Sequence, residues 1–237
     1  MVGYDGIHLN SLESAIEDIQ NGKLVVLLDN PGREGEGDFI GSAASITPAQ
    51  VNLMLTYARG AFIAVLMPES CADRLRLPSQ VDPSLNSESR KTNFRLTCDT
   101  RYGKSGCSAI ERAQTVNILG GHLNPYSDPT FTYQSSSDLA RVVRYSEPGD
   151  LVRPGHVVPI VANPEGLYAR QGHTEGAVEL MKLAGITQPV AIDMEILNPQ
   201  GYMAKAVYIR ELADAQQIKV ISIGQICNQL GIPEKNY

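Results

Sequence analysis

The sequence has no C-x-x-C pair: its four cysteines, Cys71, Cys98, Cys107 and Cys227, stand far apart. That spacing excludes a readable zinc cage or thioredoxin-like motif, and free thiols in a reducing compartment are expected. No apolar run approaches the roughly 18 residues that cross a bilayer, so no membrane span is expected. Basic residues are in the minority, 20 Lys and Arg against 26 Asp and Glu for a net charge of -6. A broad basic surface for nucleic acid is therefore excluded, although local arginines and helix N-termini can still bind phosphorylated small molecules. The opening MVGYDGIHLNSLESAIEDIQNGK carries four acids before its first lysine, unlike a secretory or mitochondrial leader. Internal repeats are not visible. These absences predict a soluble cytoplasmic protein with neither a nucleic-acid nor a membrane partner.

What is present is ordinary globular material, 237 residues at 43% hydrophobic and 19% charged, long enough to bury a substantial core. Ser11 can cap a helix with Leu12, Ala15, Ile16 and Ile19 on one face, stopped at Asn21-Gly22. Apolar runs at Leu24–Leu28, Phe62–Met67, Phe94–Cys98, Val157–Ala162, Val190–Leu197 and Lys219–Ile223 predict strands. Thr47-Pro48 reads as an N-cap followed by proline at the first helical position, leading a helix near Val51–Tyr57. Further helices are expected from Pro68-Glu69 toward Leu75, over Ser108–Leu119, and near Thr174–Ala184, Ile209–Gln216 and Gly224–Leu230. Asp29–Asp38 reads as a polar loop. Between Gly120 and Asp150 the composition turns to Ser, Pro, Tyr and Asp, a long surface insertion after which strands and helices resume. Strands and helices mixed throughout predict one domain over 1–237, of α/β or α+β class.

The chemistry concentrates in a few places. Arg33-Glu34-Gly35-Glu36-Gly37-Asp38 sets three carboxylates and a guanidinium in a glycine-rich segment after a buried strand. If extended, Glu34, Glu36 and Asp38 project to one side, where their mutual repulsion calls for a cation, and carboxylate oxygens suit Mg²⁺ or Mn²⁺. A solvated acidic loop is the alternative. Arg170-Gln171-Gly172-His173-Thr174-Glu175 precedes an amphipathic helix. Thr174 is expected to cap it, and the N–H groups of its first turn make an anion site that Arg170 reinforces, with His173 at the mouth. His156, after Arg153-Pro154-Gly155 and before an apolar strand, is a candidate for acid–base work. Glu195 interrupts the apolar run Val190–Leu197 and is either edge-exposed or functional. On these residues alone the chain reads as a metal-dependent enzyme with a phosphate or polyol substrate, its reaction unspecified.

Arg33-Glu34-x-Glu36-x-Asp38, Arg153-Pro154-Gly155-His156, Arg170-x-Gly172-His173-Thr174-Glu175 and Met194-Glu195 resemble, in content and order, the 3,4-dihydroxy-2-butanone 4-phosphate synthase family. The resemblance runs from about Ser11 to Leu230 and includes the Gly103–Arg112 segment. It implies an α+β fold with a mixed sheet layered with helices, a homodimer with sites at the subunit interface, and Mg²⁺ or Mn²⁺ as cofactor. It implies conversion of the sugar phosphate D-ribulose 5-phosphate to dihydroxybutanone phosphate and formate, a lyase step of riboflavin biosynthesis. Glu34 and His173 would be metal ligands, and Arg33 and Asp38 would contact the sugar. Arg170, Gly172 and Thr174 would hold the phosphate, His156 and Glu195 would serve acid–base steps, and Glu36 would support the acidic loop.

The chain departs from the family pattern at several points. Asn30, Pro31 and Gly32 replace an acidic run before Arg33, and Gly35 replaces an asparagine. Ala64 stands where a cysteine is common, Lys104 and Glu111 alter the turn and helix start, and the 120–150 stretch is longer than usual. Two alternatives therefore accompany the synthase reading: a divergent member using the same metal and enolisation site on another polyol phosphate or carbonyl substrate, and a non-catalytic binding protein on the same fold.

Overall fold

A computed structural model describes residues 4, 6–59, 62–122, 145–235 and 237. Its centre is a mixed sheet formed by β1 (Val25–Leu28), β2 (Gly37–Ser42), β3 (Ala64–Met67), β4 (Asn93–Phe94), β5 (Cys98–Thr100), β6 (Leu151–Val161), β7 (Ala191–Glu195) and β8 (Lys219–Ser222). The strand order is β4-β6-β3-β7-β2-β1-β8, with β5 also paired to β6. Only β1–β8 and β3–β6 run parallel; the other pairs are antiparallel.

Side-chain alternation in the strands sorts the core into two layers. Leu24, Val26, Leu28, Phe39, Val65, Ile192 and Val220 pack on one face with α2 (Pro48–Tyr57), α3 (Glu69–Arg74), α4 (Ala109–Leu119) and α6 (Ala206–Ala215). Val25, Leu27, Ile40, Leu66, Ala191 and Ile221 pack on the other face with α1 (Leu12–Gln20), α5 (His173–Leu183) and α7 (Ile223–Gln229). Each such side chain, fully buried, contributes about 1.5–3 kcal/mol, so the alternation fixes the register of every strand. Ser11 caps α1 by accepting the Ser14 N–H, and Thr47 with Gln50 forms a capping box on α2. All four cysteines are unpaired thiols.

The differences from the sequence reading have local causes. Asp29–Asp38 is not loop throughout: β2 begins at Gly37 and pairs with β1 as a hairpin. Its glycines hid it, yet one is required, because a Cβ at Gly37 would stand 2.5 Å from Leu28 Cδ2 and 2.9 Å from Ile209 Cδ1. The run Phe94–Cys98 splits into β4 and β5, because its middle bonds to the 78–79 segment, Arg95 bridging Ser79 and the Leu96 N–H donating to the Pro78 carbonyl at 2.8 Å. Strand β6 starts at Leu151, six residues before the apolar run, because its first half pairs with β5 rather than lying in the core. Of the 120–150 stretch, His122 bridges Tyr145 and Pro148–Asp150 forms a short 3₁₀ turn; residues 123–144, including the serine run 135–137, lie outside the described residues. No described helix is long and apolar enough to cross a membrane.

Candidate active site

The β1–β2 hairpin presents an acidic loop at one end of the sheet. Asp29, fully buried, follows β1 and accepts hydrogen bonds from Arg33 Nη1 at 2.8 Å and the Glu36 N–H at 2.9 Å. Arg33 Nη1 also meets Glu34 Oε2 at 2.5 Å, so one buried guanidinium holds two carboxylates together. Arg90 reaches Glu34 from outside, at 3.4 Å, and Lys205 Nζ donates to the Glu34 carbonyl at 2.9 Å. The expectation that Glu34, Glu36 and Asp38 project to one side is not met. Residues 31–34 form turns and Gly35 sits at φ +64, which breaks the extended alternation. Glu34 and Asp38 line the main cleft, whereas Glu36 lines a neighbouring pocket with Tyr4 and Lys205. Burial, reinforced by the Glu34 charge, pushes the Glu36 carboxyl up to about 6.

The N-terminus of α5 closes the cleft from above. The cap of this helix is Gly172, not Thr174, which lies inside the first turn and accepts a 3.4 Å contact from Arg170 Nη1. A Cβ at Gly172 would stand 3.2 Å from Arg33 Nη2 and 3.4 Å from Arg170 Cζ, so glycine here leaves room for two guanidinium groups. Arg170 is held by Glu175, 1% exposed, through a 3.1 Å ion pair, while Glu175 also accepts the Asn163 N–H at 3.0 Å. First-turn N–H groups have no intrahelical acceptor, and with Arg170 beside them they form a site for an anion.

The floor is the end of the sheet. Register pairs Asp38 with Glu195 and sets Asp193 opposite both Ile40 and Ala64. These three acids share the face that carries α5, and Asp38 lies 3.2 Å from His173 Nδ1. That contact leaves His173 Nε2 buried and without a partner. Asp38 and Asp193 are in hydrogen-bonding contact; burial, reinforced by the Glu195 charge, pushes both carboxyls up, Asp193 to about 7, with His173 opposing the rise at Asp38. Burial also raises Glu195. The cleft, about 250 Å³, has Phe62, Leu66, Phe94 and Ile160 as its apolar wall. One ligand atom each from Asp29, Glu34 and His173 lies within 4.8 Å of the others, a donor set suited to a hard divalent ion.

Arg33, Glu34, Asp38, Arg170, Gly172, His173, Thr174 and Glu195 thus converge from three parts of the chain on one cleft. His156 is not among its lining residues. It stands on β6 with its side chain 49% exposed, Nδ1 2.7 Å from Asp99 Oδ2 and its N–H donating to Asp99 Oδ1. Sequence reading missed Asp29, Glu175 and Asp193. Glu175 closes the second motif and Asp29 stands four residues before Arg33, so both were in reach of an arginine; Asp193, an acid two residues before Glu195 in the same apolar run, carried the same signal as Glu195. Lys104 and Glu111 lie elsewhere: Glu111 is part of the α4 capping box with Ser108 and also accepts the N–H groups of Lys104 and Ser105.

The family pattern of 3,4-dihydroxy-2-butanone 4-phosphate synthase matches residues 13–229. A synthase of that name from Agrobacterium fabrum is 37% identical over 220 residues, 92% of this chain and 91% of the relative. A second, from Wolinella succinogenes, is 34% identical over 92% of this chain and 55% of its own length. The chain spans about half the length of such longer curated relatives, 48% for the riboflavin biosynthesis protein RibBA of Phocaeicola vulgatus. Among solved structures, the Candida albicans synthase superposes with a TM-score of 0.74 at 30% identity, covering 94% of this chain and 99% of that one. A synthase in complex with two magnesium ions gives 0.73 at 28% identity, covering 94% and 97%.

Proposed function

The chain belongs to the 3,4-dihydroxy-2-butanone 4-phosphate synthase family, and from that premise we propose that it is a divalent-metal-dependent lyase converting D-ribulose 5-phosphate to 3,4-dihydroxy-2-butanone 4-phosphate and formate. One observation carries the reading: a hard-ion donor set and a helix N-terminal anion site open into the same cleft, as a phosphorylated polyol requires. The residues fit Mg²⁺ or Mn²⁺, since Glu34 and His173, with Asp29 beside them, offer carboxylate oxygen and a buried imidazole nitrogen that lacks any other partner. Such an ion, when bound, stabilises negative charge developing on neighbouring substrate oxygens.

The chain's own groups divide the remaining work. Arg170, oriented by Glu175, and the first turn of α5 at Gly172 and Thr174 bind the phosphate. Arg33 holds Asp29 and Glu34 in place and faces the sugar with Asp38, while Glu36 supports the loop through its N–H, donated to Asp29 Oδ1. Glu195, its carboxyl raised by burial, is poised to take a carbon-bound proton and return it. Phe62, Leu66, Phe94 and Ile160 form an apolar wall beside the charged groups.

The protein works as a homodimer in this reading, as one domain over 1–237 with an insertion at about 120–150. His156 supports the pairing: it is oriented by Asp99, exposed, and away from its own cleft, so a second copy brings it into position for proton transfer. The test is ¹³C NMR of the protein with uniformly labelled ribulose 5-phosphate and Mg²⁺ beside a chelator control. Labelled formate is expected only with metal, and Glu34→Ala and His173→Ala should each lose orders of magnitude in rate. Unchanged substrate from folded, metal-loaded protein would favour the second reading, a related polyol phosphate substrate, for which Asp193 directly across the ladder from Ala64 is the motivating observation.

A further inference from the structure

The family pattern stops at residue 229, where α7 ends, and the chain beyond it lies on the two motifs that build the cleft. Ile232 is buried and its N–H donates to the Cys227 carbonyl at 2.8 Å, which fixes the departure of this tail from the helix. A Cβ at Gly224 would stand 2.6 Å from Glu234 Oε1, so glycine there seats that carboxylate. Gln171, 4% exposed, grips the tail with both ends of its amide: Nε2 donates to the Pro233 carbonyl and Oε1 accepts the Lys235 N–H, each at 2.9 Å. Lys235 Nζ donates to the Ala169 carbonyl. Tyr237 reaches the other motif. A Cβ at Gly32 would stand 3.2 Å from the Tyr237 backbone oxygen and 3.5 Å from Tyr237 Cβ, so the tail lies against the turn that leads into Arg33. Asn30 closes that turn on itself, its Oδ1 and carbonyl accepting the Gly32 and Arg33 N–H groups at 2.8 Å each. Burial raises the Tyr237 phenol, with Arg33 opposing the rise and Asp29 adding to it, so the ring shares the field of both. Gly32 is one of the residues by which this chain departs from the acidic run of the family, and a side chain there would meet the tail.

We propose that Gln171 is a positioning residue for the divalent ion: by gripping the tail it holds Tyr237 against the 30–33 turn, and the tail becomes a strap that fixes how far the acidic loop stands from His173. This rests on the reading of the cleft as a divalent-ion site. The donor set has two halves from distant parts of the chain, Asp29 and Glu34 after β1 and His173 at the start of α5. Gln171 stands two residues before His173, and Gly32, under Tyr237, stands one residue before the arginine that holds Asp29 and Glu34. The strap therefore ties one half to the other, and donors already held at their binding separation lose less conformational freedom when the ion arrives. Both polar atoms of the Gln171 side chain are engaged by the tail, so its effect on the ion runs through the tail.

The experiment is calorimetric titration of Mn²⁺ into the wild-type chain, Gln171→Leu, a chain ending at Ile232, and the two changes combined. Gln171→Leu and the shortened chain should each bind Mn²⁺ about 10-fold more weakly, and the combination no more weakly than the shortened chain alone. A second measurement uses wild-type protein only and so does not depend on a variant folding. Trypsin can cut after Lys235 only when the strap lifts, because the Lys235 side chain and N–H are both held. By reciprocity, saturating Mn²⁺ should slow that cut by the same factor of about 10, read by mass spectrometry, while a free peptide of the same sequence is cut at an unchanged rate. A tail that only stabilised the fold would leave the ratio unmoved. Wild-type Mn²⁺ affinity in the shortened chain, or a cutting rate indifferent to Mn²⁺, would overturn the proposal. So would a further loss when Gln171→Leu is added to the shortened chain, which would make Gln171 act on His173 without the tail. Wild-type protein that binds no Mn²⁺ would reject both the strap and the ion reading of the cleft.

Discussion

At Asp38, one carboxylate oxygen faces His173 Nδ1 at 3.2 Å, so this side chain decides which imidazole nitrogen is left for an ion. Asp38→Asn should weaken Mn²⁺ binding by about 10–100-fold, the usual effect of losing an orienting partner, read by calorimetric titration. Unchanged affinity would mean that packing alone orients the ring. Asp193 makes a separate prediction through pH. Burial holds its folded pKa at about 7, above the roughly 3.9 of an unfolded aspartate. For an acid raised on folding, the unfolded chain releases its proton first as pH rises. Stability contributed by the protonated form is therefore full below about pH 4 and lost as pH climbs through about 7. In chelator, Asp193→Asn should melt at a higher temperature than wild type at pH 8, with the gap closing toward pH 4. A pH-independent gap would show that the carboxyl titrates normally.

Secondary-structure elements put these residues where they meet. Strand β2 carries Asp38 beside Glu195 of β7 because the two strands pair antiparallel, and the β1–β2 hairpin swings Glu34 up beside His173. Helix α5 can lie close over β1 because Gly176 faces Ile223 and Leu27, where a Cβ would stand 3.0 and 3.2 Å from their side chains. On the opposite layer, Ser108 and Glu111 cap α4 reciprocally, and backbone N–H groups hold the Glu111 carboxyl down to about 2. This gives the longer acid at that position a structural purpose. Ser108→Ala should cost about 1 kcal/mol in denaturant unfolding with no change in metal affinity, since α4 packs on the face away from the cleft. A fall in metal affinity would contradict that separation of layers.

For the whole molecule, the consequence of the fold is that one chain does not bring all its candidate proton-transfer groups together. Glu195 is in the cleft and His156 is outside it. If His156 acts on a second copy's cleft, His156→Ala and Glu34→Ala proteins, each inactive alone, should regain formate release when mixed and allowed to exchange. Sedimentation should show a dimer throughout. Mixtures that stay inactive after exchange would place His156 outside the reaction or within its own chain's cleft.

The sequence by itself determined the elements whose signals are local. Apolar runs marked β1, β3, β7 and β8, cap residues marked α1 and α2, and the two polar motifs around Arg33 and Arg170 marked the ends of the cleft. It misread what depends on neighbours distant in the chain. Gly37 and Gly41 obscure β2, because Leu28 and Leu24 fill the space where their side chains would stand, leaving Phe39 and Ile40 as its apolar residues. Helix α5 is capped by Gly172 rather than Thr174, at a residue against which two guanidinium groups fit. Period-two alternation could not foresee that Gly35 would turn Glu36 away from Asp38. Nor could any local pattern show that Asp193 would lie against Asp38, for that contact exists only once β2 and β7 pair in register. Local propensity and polarity chose the pieces; sheet pairing and the packing of α5 on the sheet chose which charged groups share one cleft.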